Sequence, residues 1–233
     1  MDIRYVTLPD AGRHGGVVVV VDVLRAFTVA ATALAAGARA IHCVATVDEA
    51  RAMRDADPQV LAMGEHHHGR RVPGFDFGNS PTELAGADLD GRVLVHRTSA
   101  GTQGLVRAAG RADTLFAASF ACATATAQAV RALRPGDLTF VATGVDHRDG
   151  DEDLACADYI AALVLAGEPI DPEPFVARVA TSDAARSFLT GNPDFPRTDV
   201  TAAMRVDSVG FAMRAEVHDD HPVLTAHHPG TAA

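Results

Sequence analysis

The chain of 233 residues sets 20 Lys and Arg against 30 Asp and Glu, a formal net charge of −10, and 48% of it is hydrophobic. That length suits one large α/β domain or two intimate lobes, the apolar share fills a core rather than a disordered chain, and the negative balance argues against nucleic acid as a partner. Every basic residue is Arg, so a Schiff-base lysine, lysine-anchored pyridoxal phosphate and a Walker lysine are all excluded.

In chain order, one rhythm repeats: a short apolar run ends in a polar residue and a helical stretch follows. "VVVVVD" ends at Asp22, and Ala26 to Ala36 reads as a helix stopped by Gly37. "AIHCVAT" reads as a strand and "VDEARAMRDA" as an amphipathic helix. "QVLAMGE" ends at Glu65; "RVLVHRTS" ends at Thr98 and Ser99, before a helix near Gln103 to Ala109. "DTLFAAS" ends at Ser119 ahead of an alanine-rich helix to Leu133, and "GDLTFVATG" ends at Gly144 ahead of a helix from Glu152 to Ala166. Near-continuous apolar strands alternating with helices predict a three-layer α/β/α sandwich with a largely parallel sheet. Ligands in such sheets bind beyond the carboxyl ends of the strands, where these polar residues fall.

The whole chain reads as a single domain with its core at about 15–166, an extension over 167–220 and a tail over 221–233. Within the extension, "TSDAARSFL" reads as a helix capped near Ser182 or Asp183, and "RVDSVGFAMRAEV" as an edge strand. His227 and His228 are expected in solvent. The apolar runs are too short to span a bilayer, and Met1 to Asp10 is not a secretory leader, so no membrane partner and a cytoplasmic location are expected. Three widely separated cysteines, Cys43, Cys122 and Cys156, read as small buried apolar residues.

Chemistry concentrates in a few stretches. In "DVLRAFT", Asp22 and Arg25 flank a strand-to-helix turn, where they either share a metal and an anion or pair with each other. In "RTSAGTQG", Thr98, Ser99, Gly101 and Thr102 open a helix whose amides either cradle an anion or are simply capped. "MGEHHHGRR" offers Glu65 as an oxygen ligand, while His66 to His68 cannot all aim at one ion. "GVDHRDGDEDLACA" is acid-rich, through Asp146, Asp149, Asp151, Glu152 and Asp153, either to suit a helix dipole or to hold Mg²⁺. In "PGFDFGNSPTEL", Ser80, Pro81 and Glu83 match a capping box, which leaves Asp76 and Asn79 without a structural account.

Together these stretches resemble the 2-phosphosulfolactate phosphatase family, one of whose members acts in coenzyme M synthesis. The resemblance lies in "VVVDVLRAFT" (19–28), the "GE" before the histidines, "GFDFGNSP" (74–81), "TSAGT" (98–102) and "DEDLACADYIAALV" (151–164). Ala100 and Phe27 depart from the family pattern. The resemblance implies a Mg²⁺-dependent phosphomonoesterase, a homodimer or higher homo-oligomer, acting on a small anionic phosphoester. It implies Asp22, Arg25, Asp76 and Asn79 as catalytic residues, with Ser80, Thr98, Ser99, Gly101 and Thr102 binding substrate. Asp22, Glu65, Asp76 and Glu152 are the metal candidates, and Asp153 belongs to the same motifs. A non-catalytic anion-binding protein on this fold, or a Mg²⁺-dependent lyase or isomerase, is the alternative.

Overall fold

Five consecutive valines, Val17–Val21, form β2, and all five are buried, as a strand covered on both faces requires. A computed structural model describes residues 1–66, 69–144 and 150–230. β2 lies between β7 (Thr114–Ala118) and β8 (Asp137–Ala142), parallel to both, with Val21 opposite Ala118 and Ala142. β1 (Asp2–Thr7) extends this block beyond β8, also in parallel. A second parallel block holds β3 (Ala40–Cys43), β6 (Val93–Arg97) and β4 (Leu61–His66), with the two-residue β5 (Arg70–Arg71) antiparallel to the end of β4.

The blocks are joined by a hairpin of β9 (Ala212–His218) and β10 (His221–His227), giving the order β1-β8-β2-β7-β9-β10-β3-β6-β4-β5. Two sequence expectations are corrected here. The 205–217 stretch is not an edge strand, and the tail carries a strand in the middle of the sheet, with Val223 and Leu224 buried. The mixed polarity of "HDDHPVLTAHH" hides the few apolar residues that cross the core, and without β10 beside it β9 reads as an edge.

Each junction from β7 to β9, β9 to β10 and β10 to β3 is antiparallel, so the second block runs opposite to the first. A ten-stranded sheet is therefore mixed, though mostly parallel. In a flat sheet the carboxyl ends of β2 and β6 would lie on opposite edges. Strand twist of about 20–25° per neighbour accumulates between them and curls the sheet. Helix α3 (Gly101–Ala108), which follows β6, consequently packs on β2 and β7 of one block and on β3 of the other. Gly104 permits that approach: a Cβ there would lie 2.6 Å from Val20 Cγ1.

Helices α4 (Ala123–Leu133) and α5 (Asp151–Ala166) pack together against the first block, and α2 (Val47–Ala56) packs on β4 and β6. Helix α1 (Ala26–Ala35) is buried along almost its whole length. Beyond α5 come α6 (Glu173–Thr181), α7 (Asp183–Arg186), capped by Ser182, and α8 (Arg197–Ala203). All three cysteines are free and buried. Among the described residues no helix is long and apolar enough to cross a membrane.

Candidate active site

Asp22, Ser119 and Thr143 directly follow three adjacent parallel strands, β2, β7 and β8. The Asp22 carboxylate is buried, and its Oδ1 accepts the Ala26 amide at 2.9 Å, which satisfies an otherwise orphan donor in the first turn of α1. The amide of Gly101 faces the same carboxylate and favours its charged form. A Cβ on Gly101 would lie 2.7 Å from Asp22 Oδ2, so only glycine lets α3 close on this carboxylate.

Asp153, in the first turn of α5, fastens the ends of two strands. Its Oδ1 accepts the Val23 amide at 2.8 Å, and its Oδ2 accepts the amides of Thr143 and Gly144 at 3.1 and 2.9 Å. Glu152 beside it is buried as well.

From the opposing block, buried Glu65 near the end of β4 reaches the turn after β6. The Ser99 amide donates to its Oε1 at 2.5 Å, and the Ser99 hydroxyl to its Oε2 at 3.2 Å. Thr98 and Thr102 clasp each other: the Thr102 amide donates to Thr98 Oγ1 at 3.0 Å, and the Thr98 amide to Thr102 Oγ1 at 2.8 Å. Of the two readings of this turn, a cradle for an anion or a capped helix start, the amides of Thr98, Ser99 and Thr102 take the second, each donating to a side chain of the protein. Their dipole and hydrogen bonds hold Glu65 and Asp22 in place.

Burial pushes the Asp22 carboxyl up to about 6; the Ala26 amide opposes the rise, the charge on Glu65 adds to it, and Thr143 and the Gly101 amide oppose it again. Burial also raises Asp153 well above the usual carboxylate range, and the charges of Glu152 and Asp22 raise it further. Four buried carboxylates therefore press on one another from both halves of the sheet.

Arg25 does not pair with Asp22. Its Nη1 donates to Asp199 Oδ2 at 2.8 Å and to the Asp194 carbonyl at 2.7 Å, and its guanidinium stacks on Phe188 and Phe195. The expected capping box at Ser80 is not formed either. Residues 81–86 make turns rather than a helix, the Ser80 hydroxyl donates to Asp199 Oδ1 at 2.8 Å, and Glu83 accepts the Gly78 amide at 2.6 Å. Asn79 is buried, with its Oδ1 3.3 Å from His96 Nε2.

Asp76 stands apart from the other carboxylates. Its stretch runs beside β4, where the Ala62 amide donates to Asp76 Oδ2 at 2.8 Å and Arg54 Nε lies 3.4 Å from the same oxygen. Ala62 precedes Glu65 by three residues, roughly 10 Å of extended strand. Phe75 packs into the small cluster with Val60, Ala62 and Val95, while Phe77 packs against the main core. The two phenylalanines thus pin the segment from opposite faces, and Asp76 closes its backbone.

The structure therefore gathers Asp22, Glu65, Glu152 and Asp153 with Ser99, Gly101, Thr98 and Thr102, and holds Arg25, Ser80 and Asn79 through other partners. His67, His68, Asp146 and Asp149 lie outside the described residues. Sequence reasoning missed Asp199, and it missed Arg97, whose Nη1 donates to the Glu65 carbonyl at 2.8 Å. For Arg97 the available signal was its place directly before Thr98; Asp199 lies in an unremarkable stretch.

Among the described residues no group of three or more His, Cys, Asp or Glu is placed to hold a metal ion. The donor chemistry nevertheless fits Mg²⁺. The nearby donors are all oxygen, their mutual repulsion calls for a cation, and this ion is commonly held by one or two carboxylates with waters and substrate phosphate.

The model of the family described as 2-phosphosulpholactate phosphatase matches residues 5–211, ending just before β9. A Bacillus subtilis (strain 168) protein named "Probable 2-phosphosulfolactate phosphatase" is 33% identical over 211 residues, covering 88% of this chain and 90% of the relative. Proteins of the same name are similar at 40% over 202 residues in Carboxydothermus hydrogenoformans, covering 85% of this chain and 79% of that relative, and at 39% over 166 residues in Deinococcus radiodurans, covering 71% and 68%. With a match over most of its length and a relative 33% identical over 88% of it, this chain belongs to the 2-phosphosulpholactate phosphatase family.

Proposed function

We propose that this protein is a Mg²⁺-dependent phosphoric monoester hydrolase that releases phosphate from 2-phosphosulfolactate or a closely related small phosphorylated hydroxy acid. Family membership and the names of the relatives support the substrate class. The observation that carries the reaction type is the set of buried carboxylates, Asp22, Glu65, Glu152 and Asp153, gathered from both halves of the sheet, with burial raising the Asp22 carboxyl to about 6.

Such a carboxyl holds or releases a proton near neutral pH. Asp22 can therefore take a proton from an attacking water or return one to the leaving alkoxide oxygen. Its Oδ1 is fixed by the Ala26 amide, which keeps the reactive oxygen from rotating away. Ser99 fixes Glu65 in the same manner. Burial of the group lowers the local dielectric and strengthens every charge interaction with a phosphoryl group. Glu65 or Glu152 would hold Mg²⁺, which when bound would neutralise phosphate charge as a Lewis acid, and in this reading Asp22 stays off the ion and carries the proton. The same reading has a cytoplasmic homo-oligomer as the working form, to be checked by light scattering.

The test is phosphate release from 2-phosphosulfolactate and a panel of phosphorylated hydroxy acids, with Mg²⁺ and with EDTA. Metal-dependent release that EDTA abolishes is expected. Absence of release from the whole panel, or formation of a product without free phosphate, overturns the proposal.

A further inference from the structure

Asp199 is completely buried, with a relative exposure of 0%, in the first turn of α8. Its Oδ2 accepts Arg25 Nη1 at 2.8 Å. Its Oδ1 accepts the Ser80 hydroxyl at 2.8 Å, the Thr82 hydroxyl at 2.6 Å and the Thr82 amide at 3.2 Å. Four donors converge on this carboxylate, three of them on Oδ1 and Arg25 alone on Oδ2. One side chain therefore ties the turn after β2 to the "GNSPT" turn, which the sequence separates widely.

Arg25 needs that anion. Its side chain is 4% exposed, and its guanidinium lies 5.2 Å from the Phe188 ring centroid and 4.7 Å from that of Phe195. A buried ion pair stabilises a fold no better than well-packed apolar side chains of the same volume. Two phenylalanines around the position would accept an apolar residue readily. A charged pair here, three residues from Asp22, is accounted for when the direction of the guanidinium matters. Nη1 donates to Asp199 and to the Asp194 carbonyl, and Nη2 donates to the Gly69 carbonyl at 3.4 Å, just beyond the strand that carries Glu65, which leaves Nε without a partner among the described residues.

We propose that Asp199 is a positioning residue of the phosphatase site, acting through Arg25 and Ser80 rather than by touching substrate. This rests on the hydrolase reading above. Asp199 fixes one edge of the guanidinium and holds the Ser80 turn, so that Arg25 presents its other edge to a substrate phosphate oxygen.

The experiment compares wild type with Asp199→Asn, which keeps the shape and removes the charge, and Asp199→Ala, which leaves room for formate. Affinity for inorganic phosphate, read by calorimetry at fixed Mg²⁺, should fall about 10-fold or more in Asp199→Asn, with KM for the phosphomonoester rising in step and kcat changing less. Formate should restore turnover to Asp199→Ala, and Arg25→Met with Asp199→Ala should be no worse than Arg25→Met alone. Wild-type phosphate affinity and KM in Asp199→Asn overturn this inference and leave the hydrolase reading standing. A folded Asp199→Ala that formate does not restore also overturns it. A wild-type protein that neither binds phosphate nor releases it from any monoester overturns both. Should Asp199→Ala not fold, the affinity and KM of the Asn variant decide alone.

Discussion

Asp22 and Glu65 stand at the carboxyl ends of strands that run in opposite directions, yet the charge on Glu65 helps raise the Asp22 carboxyl to about 6. The curl of the sheet around α3 makes that meeting. In metal-free protein, a carboxyl-carbon NMR titration should find Asp22 titrating near pH 6. Because Glu65 contributes a raising charge, Glu65→Gln should move the midpoint down. The linkage sign follows: a carboxyl whose folded value lies above its unfolded 3.8 favours folding most below 3.8, and that contribution is lost as pH rises through about 6. A midpoint unmoved by Glu65→Gln would show that the two carboxylates do not interact.

Asp22 and Asp76 should separate cleanly by mutation. Asp22→Asn removes a group from the gathered carboxylates and should cost about 100-fold or more in kcat while the protein stays folded. Asp76→Asn weakens the hold on the Ala62 amide and Arg54, and should cost about 1 kcal/mol of stability with turnover retained. Phosphate release and urea denaturation on both variants check this, and equal loss of activity would return Asp76 to the site.

The two glycines of α3 make a second contrast. A Cβ at Gly101 meets Asp22 Oδ2, so Gly101→Ala should displace the carboxylate and reduce activity about 100-fold. A Cβ at Gly104 meets Val20 and Thr143 side chains, so Gly104→Ala should cost about 1–3 kcal/mol of stability. Its activity per folded molecule should stay much closer to wild type.

His96 gives the fold a pH dependence of its own. Burial lowers its pKa to about 3 from 6.5, and it is held neutral beside Asn79. A depressed histidine contributes stability that is fully present above pH 6.5 and drains away as pH falls toward 3. Between pH 7 and pH 4 that is about 3 kcal/mol. Denaturation of wild type and His96→Gln across this range should show their difference in stability shrinking as pH falls.

Removal of residues 211–233 should prevent folding, because β9 and β10 connect β7 to β3 and bury Met213, Val223 and Leu224. Circular dichroism and gel filtration on the truncated chain check this. A native-like truncated protein would show that the two parallel blocks associate without the hairpin.

Local order was legible in the residues themselves. Five valines in a row cannot be satisfied except as a strand buried on both faces, and "VDEARAMRDA" declares one polar and one apolar side, so β2 and α2 fall where pattern places them. The polar residues at strand ends, Asp22, Glu65 and Ser99, could likewise be picked out one by one. Their partners could not. Arg25 looks made for Asp22 three residues away, yet it pairs with Asp199, 174 residues later; Ser80 looks like a helix cap, yet it serves the same carboxylate. Local chemistry proposes the nearest partner, whereas burial selects whichever group the packed chain brings within hydrogen-bond distance. The opposed blocks and the central hairpin belong to that level too, since strand order and twist arise from long-range pairing. The composition fixed the oxygen and guanidinium chemistry that this protein has to work with. Only the curled sheet decided which carboxylates share one buried site, and that Asp76 does not join them.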